Sequence, residues 1–170
     1  MRVEGQLGDE VVTIKATSIA RRLHGKSHYG KMYEDRLQLS LIEAAYLMER
    51  GKLKLMKDDD EVSPEEFISL LGERGLYSKY LVYRDLRNRG YIVKTGFKYG
   101  AEFRLYERGG APGRTHSAYL VRVISENDTI HALDFSSYVR VAHGVNKKLL
   151  MAFLDDEEDI TYYLVDWIRP

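Results

Sequence analysis

The 170-residue sequence predicts an α/β protein built as two successive domains, a small mixed one over 1–75 and a larger one over 76–170. Three observations carry that reading. Helical runs and β-rich runs follow one another as α-β-β-β-α-β-β from residue 76 onward, the pattern of a mixed sheet covered by helices. The charge also changes sign along the chain. Residues 1–75 hold 12 basic and 14 acidic side chains, 76–122 hold 10 and 3, and 123–170 hold 4 and 9. Finally, 44% of the residues are apolar, and a chain of this size buries ~70% of its unfolded surface, enough for one good core or two small ones.

In the N-terminal part, Val3–Leu7 and Val11–Ile14 flank Gly8-Asp9 and predict a hairpin. A short amphipathic helix is expected over Ala16–Leu23, with Thr17 or Ser18 as its cap, and a glycine-containing loop over His24–Lys31. Ser40 and Glu43 form a capping-box pattern for a helix over Leu41–Arg50, stopped by Gly51. Lys52–Met56 reads as a short strand and Lys57–Glu61 as an acidic turn. Ser63-Pro64-Glu65-Glu66 then opens a helix with Ser63 as cap, Pro64 in the first turn and Glu66 closing the box.

In the C-terminal part, a helix over Tyr77–Arg89 ends at Gly90, and strands are expected over Tyr91–Thr95 and Ala101–Tyr106 around the turn Gly96–Gly100. Arg108–Gly113 reads as a flexible loop. An apolar strand follows over Ser117–Ile124, then a helix over Asp134–Ala142 capped by Gly144. Strands over Lys148–Leu154 and Ile160–Ile168 enclose the acidic turn Asp155-Asp156-Glu157-Glu158-Asp159.

Composition removes several classes of function. With no cysteine, disulfide scaffolds, zinc ribbons and thiol nucleophiles are excluded. No apolar run approaches the ~20 residues of a membrane-spanning helix. The cationic middle third points to phosphate-bearing partners, although basic residues also cluster on ordinary solvated faces.

Among the five histidines no HxH or HExxH spacing occurs, so the zinc signal is weak. His24 and His28 fall in the expected loop and read as solvent-exposed. His131 falls at a turn, and His143 at a helix C-terminus, where the dipole favours it. His116 differs, because it follows the Gly/Pro loop and directly precedes an apolar strand, where reactive groups are commonly held. Tyr106 closes the preceding strand, so the loop can bring the two together. Lys147-Lys148 opens the next strand, and alternation places one lysine on each face.

A phenol, an imidazole and a fixed cation suit RNA cleavage by a substrate 2′-hydroxyl attacking its own phosphate. One group removes the 2′ proton, another protonates the leaving 5′ oxygen, and the cation stabilises the developing charge. A tyrosine with an ordinary pKa of ~10 is a poor base at neutral pH unless nearby cations depress that value, which the basic segment can supply. A metal-dependent nuclease needs clustered carboxylates and a lysine on a strand pair. Glu102 and Asp134 occur, but without that spacing, and the acidic turn 155–159 lacks calcium-loop spacing.

The stretches YLVYRDLRNRGYIVKTGFKYGAEFRLYERG (80–109), HSAYLVRVI (116–124) and RVAHGVNKKLLMAFLDDEEDITYYLVDWI (140–168) resemble the archaeal tRNA-splicing endonuclease, or tRNA-intron lyase. QLSLIEAAYLMERGKL (38–53) is similar to that family's small N-terminal domain. The resemblance implies a restriction-endonuclease-like α/β C-terminal domain with a mixed central sheet. It also implies that 1–75 serves structure and assembly and that 76–170 is catalytic. It places a general base on Tyr106, a general acid on His116 and a cationic stabiliser on Lys147. Lys147 is chosen over Lys148 by aligning NKKLL with the family motif.

The implied substrate is precursor tRNA, cut at both exon–intron borders of a bulge–helix–bulge element to leave a 2′,3′-cyclic phosphate and a 5′-hydroxyl, with no cofactor and no metal in the chemical step. Arg140 falls where the family clamps a bulged base. The second clamping arginine of some members is absent here, where Thr161-Tyr162-Tyr163 stands. The turn 155–159 resembles a loop that docks into a basic cleft on another subunit. The apolar tail Tyr162–Ile168 suits a dimer surface. A cytoplasmic homotetramer follows, with a mixed tetramer as the alternative. A non-catalytic subunit of the same assembly and a general RNA-binding module are the rival readings. Cleavage of a bulge–helix–bulge RNA in EDTA separates all three.

Overall fold

The computed structural model describes all residues 1–170, which fall into two compact units, Met1–Tyr80 and Leu81–Pro170. No helix is long and apolar enough to cross a membrane.

The first unit contains strands β1 (Val3–Leu7) and β2 (Val11–Lys15), helix α1 (Ser18–Ser27), strands β3 (Lys31–Met32) and β4 (Arg36–Ser40), and helix α2 (Leu41–Glu49). Strands β5 (Leu53–Lys57) and β6 (Asp60–Val62) and helix α3 (Pro64–Glu73) complete it. The six strands form one sheet ordered β3-β4-β2-β1-β5-β6, in which only β1 and β5 are parallel. The Gly8-Asp9 hairpin forms as expected, with Gly5 opposite Ile14.

Both capping boxes are present and reciprocal. Ser40 Oγ accepts from the Glu43 amide at 3.1 Å, and Glu43 Oε2 accepts from the Ser40 amide at 2.9 Å. The corresponding pair at α3 joins Ser63 and Glu66, with Pro64 in the first turn.

Three expectations for this unit need correction. Helix α1 continues through His24 to Ser27, because His28 terminates it in the left-handed region (φ 59°) and its amide bonds the His24 carbonyl. His24 and His28 are accordingly half-buried rather than exposed, and His24 Nδ1 lies 3.0 Å from the Tyr29 carbonyl oxygen. Strands β3 and β4 also went unanticipated. The acidic stretch 57–61 is not merely a turn, since Asp58 takes φ 54° and returns the chain into β6 against β5.

Helix α4 (Tyr77–Asn88) begins at the end of the first unit and runs into the second. There follow β7 (Val93–Thr95), a 3-10 turn over Phe97–Tyr99, β8 (Phe103–Leu105), β9 (Tyr119–Ser125), α5 (Ala132–Gly144), β10 (Lys148–Leu154) and β11 (Ile160–Val165). The order α-β-β-β-α-β-β is the expected one, and the sheet β11-β10-β9-β8-β7 is mixed. Strands β9 and β10 are parallel, joined through α5, while the other neighbours are antiparallel.

Register assigns each face of this sheet. Leu120 and Ile124 of β9 with Leu149 and Met151 of β10 form one core with Val139 and Ala142 of α5. On the opposite face, Phe103 of β8 meets Tyr83 of α4 at 5.8 Å between ring centres, and Tyr162 of β11 donates to Asp85 of α4 at 2.6 Å.

Element ends differ from expectation in informative ways. Strand β8 starts two residues late, at Phe103, although the Glu102 amide still bonds the Val121 carbonyl at 3.1 Å and its carboxylate accepts from the Val123 amide at 3.2 Å. Helix α5 begins at Ala132 and runs through Gly144, and the left-handed position falls instead on Asn146 (φ 56°).

Candidate active site

The segment 108–116 is a tightly folded loop, where the sequence suggests a flexible one. Thr115 Oγ1 accepts from the Ala111 amide at 3.1 Å, and the Arg114 and Thr115 amides both bond the Ala111 carbonyl. Gly110 sits so close beneath that a Cβ there would lie 2.7 Å from Thr115 Oγ1, so only glycine fits without a shift. Gly109 and Gly113 supply the left-handed turns (φ 84° and 83°). This packing delivers His116, solvent-exposed, to the start of β9.

Tyr106 directly follows β8 and prolongs its ladder, its amide donating to the Ile92 carbonyl at 3.1 Å. The side chain is 5% exposed. Lys147 directly precedes β10. Its amide bonds the Ala142 carbonyl at 2.8 Å as the chain leaves α5, and its side chain is only 9% exposed. The ammonium Nζ donates to the Ser117 carbonyl at 2.8 Å and lies 5.6 Å from the centre of the Tyr99 ring. Lys148 is exposed, as strand alternation requires when Lys147 points inward.

These three side chains meet. Tyr106, His116 and Lys147 line one cavity of about 350 Å³, together with Tyr99, Arg104 and Arg114. The cavity lies where β8 ends and β9 and β10 begin. A phenol, an imidazole and an ammonium therefore open onto a common space, groups of the kind that acid–base chemistry on an anionic group uses.

Sequence reasoning passed over Tyr99, Arg104 and Arg114. For Arg104 a signal existed: it stands two residues before Tyr106 on the same strand line, so both project to one face. Nothing in the sequence marked Thr115 as the organiser of the loop.

Arg140 lines a different cavity, of about 530 Å³, with Phe135, His143, Trp167 and Arg169. There the rings of His143 and Trp167 lie 4.4 Å apart, and the Arg169 guanidinium is 5.5 Å from the Trp167 ring. The acidic residues Asp155, Asp156, Glu157, Glu158 and Asp159 form the turn between β10 and β11, all exposed except half-buried Asp155. The turn is rigidly tied. Asp155 Oδ1 accepts from the Glu157 and Asp159 amides at 2.9 Å each, and Asn127 Nδ2 donates to Asp156 Oδ1 at 3.0 Å. No three histidine or carboxylate side chains converge in an arrangement that could hold a metal ion.

Comparison with known proteins covers most of the chain in both units. Residues 76–162 match the family described as the tRNA intron endonuclease catalytic C-terminal domain, and residues 3–68 match its N-terminal domain. The tRNA-splicing endonuclease of Thermococcus gammatolerans is 45% identical over 164 residues, covering 95% of either chain. That of Thermococcus kodakarensis is 44% identical with the same coverage. That of Methanococcus maripaludis is 38% identical over 170 residues, covering 98% of this chain and 95% of its own. The chain belongs to the archaeal tRNA-splicing endonuclease family.

Proposed function

We propose that this chain is an endoribonuclease that cuts precursor tRNA at exon–intron borders within a bulge–helix–bulge element, by a step that needs no metal ion. The observation that carries the reading is the opening of Tyr106, His116 and Lys147 onto one cavity in a chain of this family. Tyr106 acts as the general base that takes the proton of the 2′-hydroxyl at the cleavage site. The 2′ oxygen bonds to the adjacent phosphorus as the bond from phosphorus to the 5′ oxygen breaks. Protonated His116 gives its proton to that leaving oxygen. The products are a 2′,3′-cyclic phosphate and a 5′-hydroxyl. Lys147, held in place by the Ser117 carbonyl, offsets the charge gathering on the non-bridging oxygens.

In this reading residues 76–170 form a restriction-endonuclease-like catalytic domain, and 1–75 serve structure and assembly. Arg140 holds a bulged base by stacking on its face, in a cavity that already carries the aromatic ring of Trp167. The turn 155–159 docks into a basic cleft on another copy, and a homotetramer results. Its internal bonding holds the backbone of the turn in one conformation, which lowers the ordering cost of docking.

The test is cleavage of a bulge–helix–bulge transcript by the purified chain in EDTA, with the ends identified chemically. The expected outcome is cyclic-phosphate ends, and a rate lowered by roughly 10²–10⁴ in His116→Ala with RNA affinity nearly unchanged. Binding without cleavage by the unaltered chain would reduce it to a structural subunit or an RNA-binding module. Equal losses of rate and affinity in His116→Ala would remove the acid role.

A further inference from the structure

We infer that Arg104 is a further catalytic group of this site, donating to a non-bridging oxygen of the scissile phosphate; this rests on the nuclease reading above. The observation is an unpaired donor. Arg104 Nε is shielded from solvent and has no hydrogen-bond partner, although the residue lines the cavity that holds Tyr106, His116 and Lys147. Buried polar groups are almost always paired, and an unmet donor on a charged group is costly. Arg122 shows what a structural arginine on this sheet does with its guanidinium. Its Nε also lacks a hydrogen bond, yet the group bonds the Gly100 carbonyl, faces Glu102 at 3.6 Å and stacks 3.9 Å over the Tyr138 ring. No such set of partners surrounds the Arg104 Nε.

Position explains what the missing acceptor is. Arg104 pairs with Leu120 across β8 and β9, and Leu120 belongs to the core on the α5 face. Arg104 therefore projects to that same face, as does Tyr106 two residues on, roughly 6–7 Å further along the strand. A phosphodiester seated between Tyr106 and His116 brings anionic oxygens to the cavity that the Arg104 guanidinium lines, a group whose buried Nε leaves it unanchored by any protein acceptor.

Chemistry supplies the need. Attack by the 2′ oxygen adds negative charge to the phosphoryl oxygens, and one of the three Lys147 donors is already taken by Ser117. A guanidinium presents a planar fork matched to two phosphate oxygens and never gives up its own proton at working pH. Arg104 thus stabilises charge, while proton transfer stays with Tyr106 and His116.

The test is single-turnover cleavage of a bulge–helix–bulge transcript by saturating full-length enzyme, with RNA affinity and thermal melting measured alongside. Arg104→Ala should slow cleavage by roughly 10²–10³ with affinity within a few-fold of wild type, and added guanidinium ion should restore at least tenfold of that loss. Arg104→Lys, which keeps the charge and loses the fork, should remain at least tenfold slow, and it serves as the sole variant if the alanine protein does not fold. Wild-type rates in Arg104→Lys, or a slow alanine variant that guanidinium does not rescue, would overturn the inference. His116→Ala run beside them separates the two failures. If it is dead while Arg104 variants are fully active, only this inference falls. If it is fully active too, the assignment of this cavity as the cleavage site falls with it, and if the unaltered chain does not cleave at all, the nuclease reading itself falls.

Discussion

Replacing Lys147 with methionine separates stability from catalysis at one atom. Lys147 is nine-tenths buried, and its ammonium has one hydrogen bond, to the Ser117 carbonyl, and one aromatic neighbour, Tyr99. Deleting it forfeits a charge-assisted bond of about 1.5–3 kcal/mol and a cation–π contact of about 0.5–2 kcal/mol. Against this, a desolvated ion costs several kcal/mol to bury, and methionine fills nearly the same stem volume without that cost. The two sides nearly cancel, so stability should stay within about 1 kcal/mol of wild type, or roughly 4–8 °C in melting temperature for a unit of this size. Cleavage carries no such compensation. Losing one preorganised donor to a developing oxyanion lowers the rate by roughly 10²–10³. The assay is single-turnover cleavage at 25 °C, where both proteins are folded, beside a thermal melt and an RNA titration. A variant that melts far lower and regains the wild-type rate per folded molecule would refute the reasoning, because Lys147 would then be a structural lysine.

Three further outcomes follow from bonds within the two units. Tyr162→Phe removes the hydroxyl that ties β11 to Asp85 of α4, a carboxylate that keeps its bond from Arg89 Nε at 2.8 Å. The loss should be about 1 kcal/mol in urea unfolding, with cleavage unaffected; an unchanged midpoint would contradict it. Burial above all, reinforced by the bond to Asp85 and opposed by Arg89, raises the Tyr162 phenol above its ordinary 10.0. Its contribution is thus complete below pH 10 and disappears as pH rises toward the higher folded value. The wild-type advantage over Tyr162→Phe should therefore shrink in strongly alkaline solution. In the first unit, buried Glu43 accepts from the Gly30 amide through one oxygen and the Ser40 amide through the other, both at 2.9 Å. Glu43→Gln turns one acceptor into a donor facing a donor and should cost about 1–3 kcal/mol in unfolding experiments; unaltered stability would show that these bonds are not what holds the 28–30 turn to α2.

Legibility in the sequence varied with the reach of the interaction. Both capping boxes were readable because every participant lies within three residues of the cap. The end of α1 was not, since the left-handed position falls on His28, while the two glycines of 24–31 made that stretch read as loop and Gly25 stands in open space within the helix. Gly30 nearby takes φ 63°, and a Cβ there would also meet the Gln38 carbonyl oxygen at 2.2 Å, a contact that exists only once β4 is in place. Strand β6 carries Asp60 and Glu61, residues of poor β-propensity, and is a strand only by pairing with β5.

The triad was nominated from the sequence by loop position, residue chemistry and family likeness, none of which brings side chains together. Arg104 and Thr115 escaped notice because one is defined by the partner its Nε lacks and the other by the glycine beneath it.

Periodicity, caps and charge thus determined the element order of the second unit, the mixed α/β class and the basic character of the middle segment, since each acts over a turn or two of chain. Tertiary structure alone decided that β8, β9 and β10 lie side by side in a register that ends them around one cavity. It also turned Lys147 inward and Lys148 outward. Those outcomes depend on pairing between segments far apart in sequence, where the energy comes from burying shared faces and no short-range pattern records it.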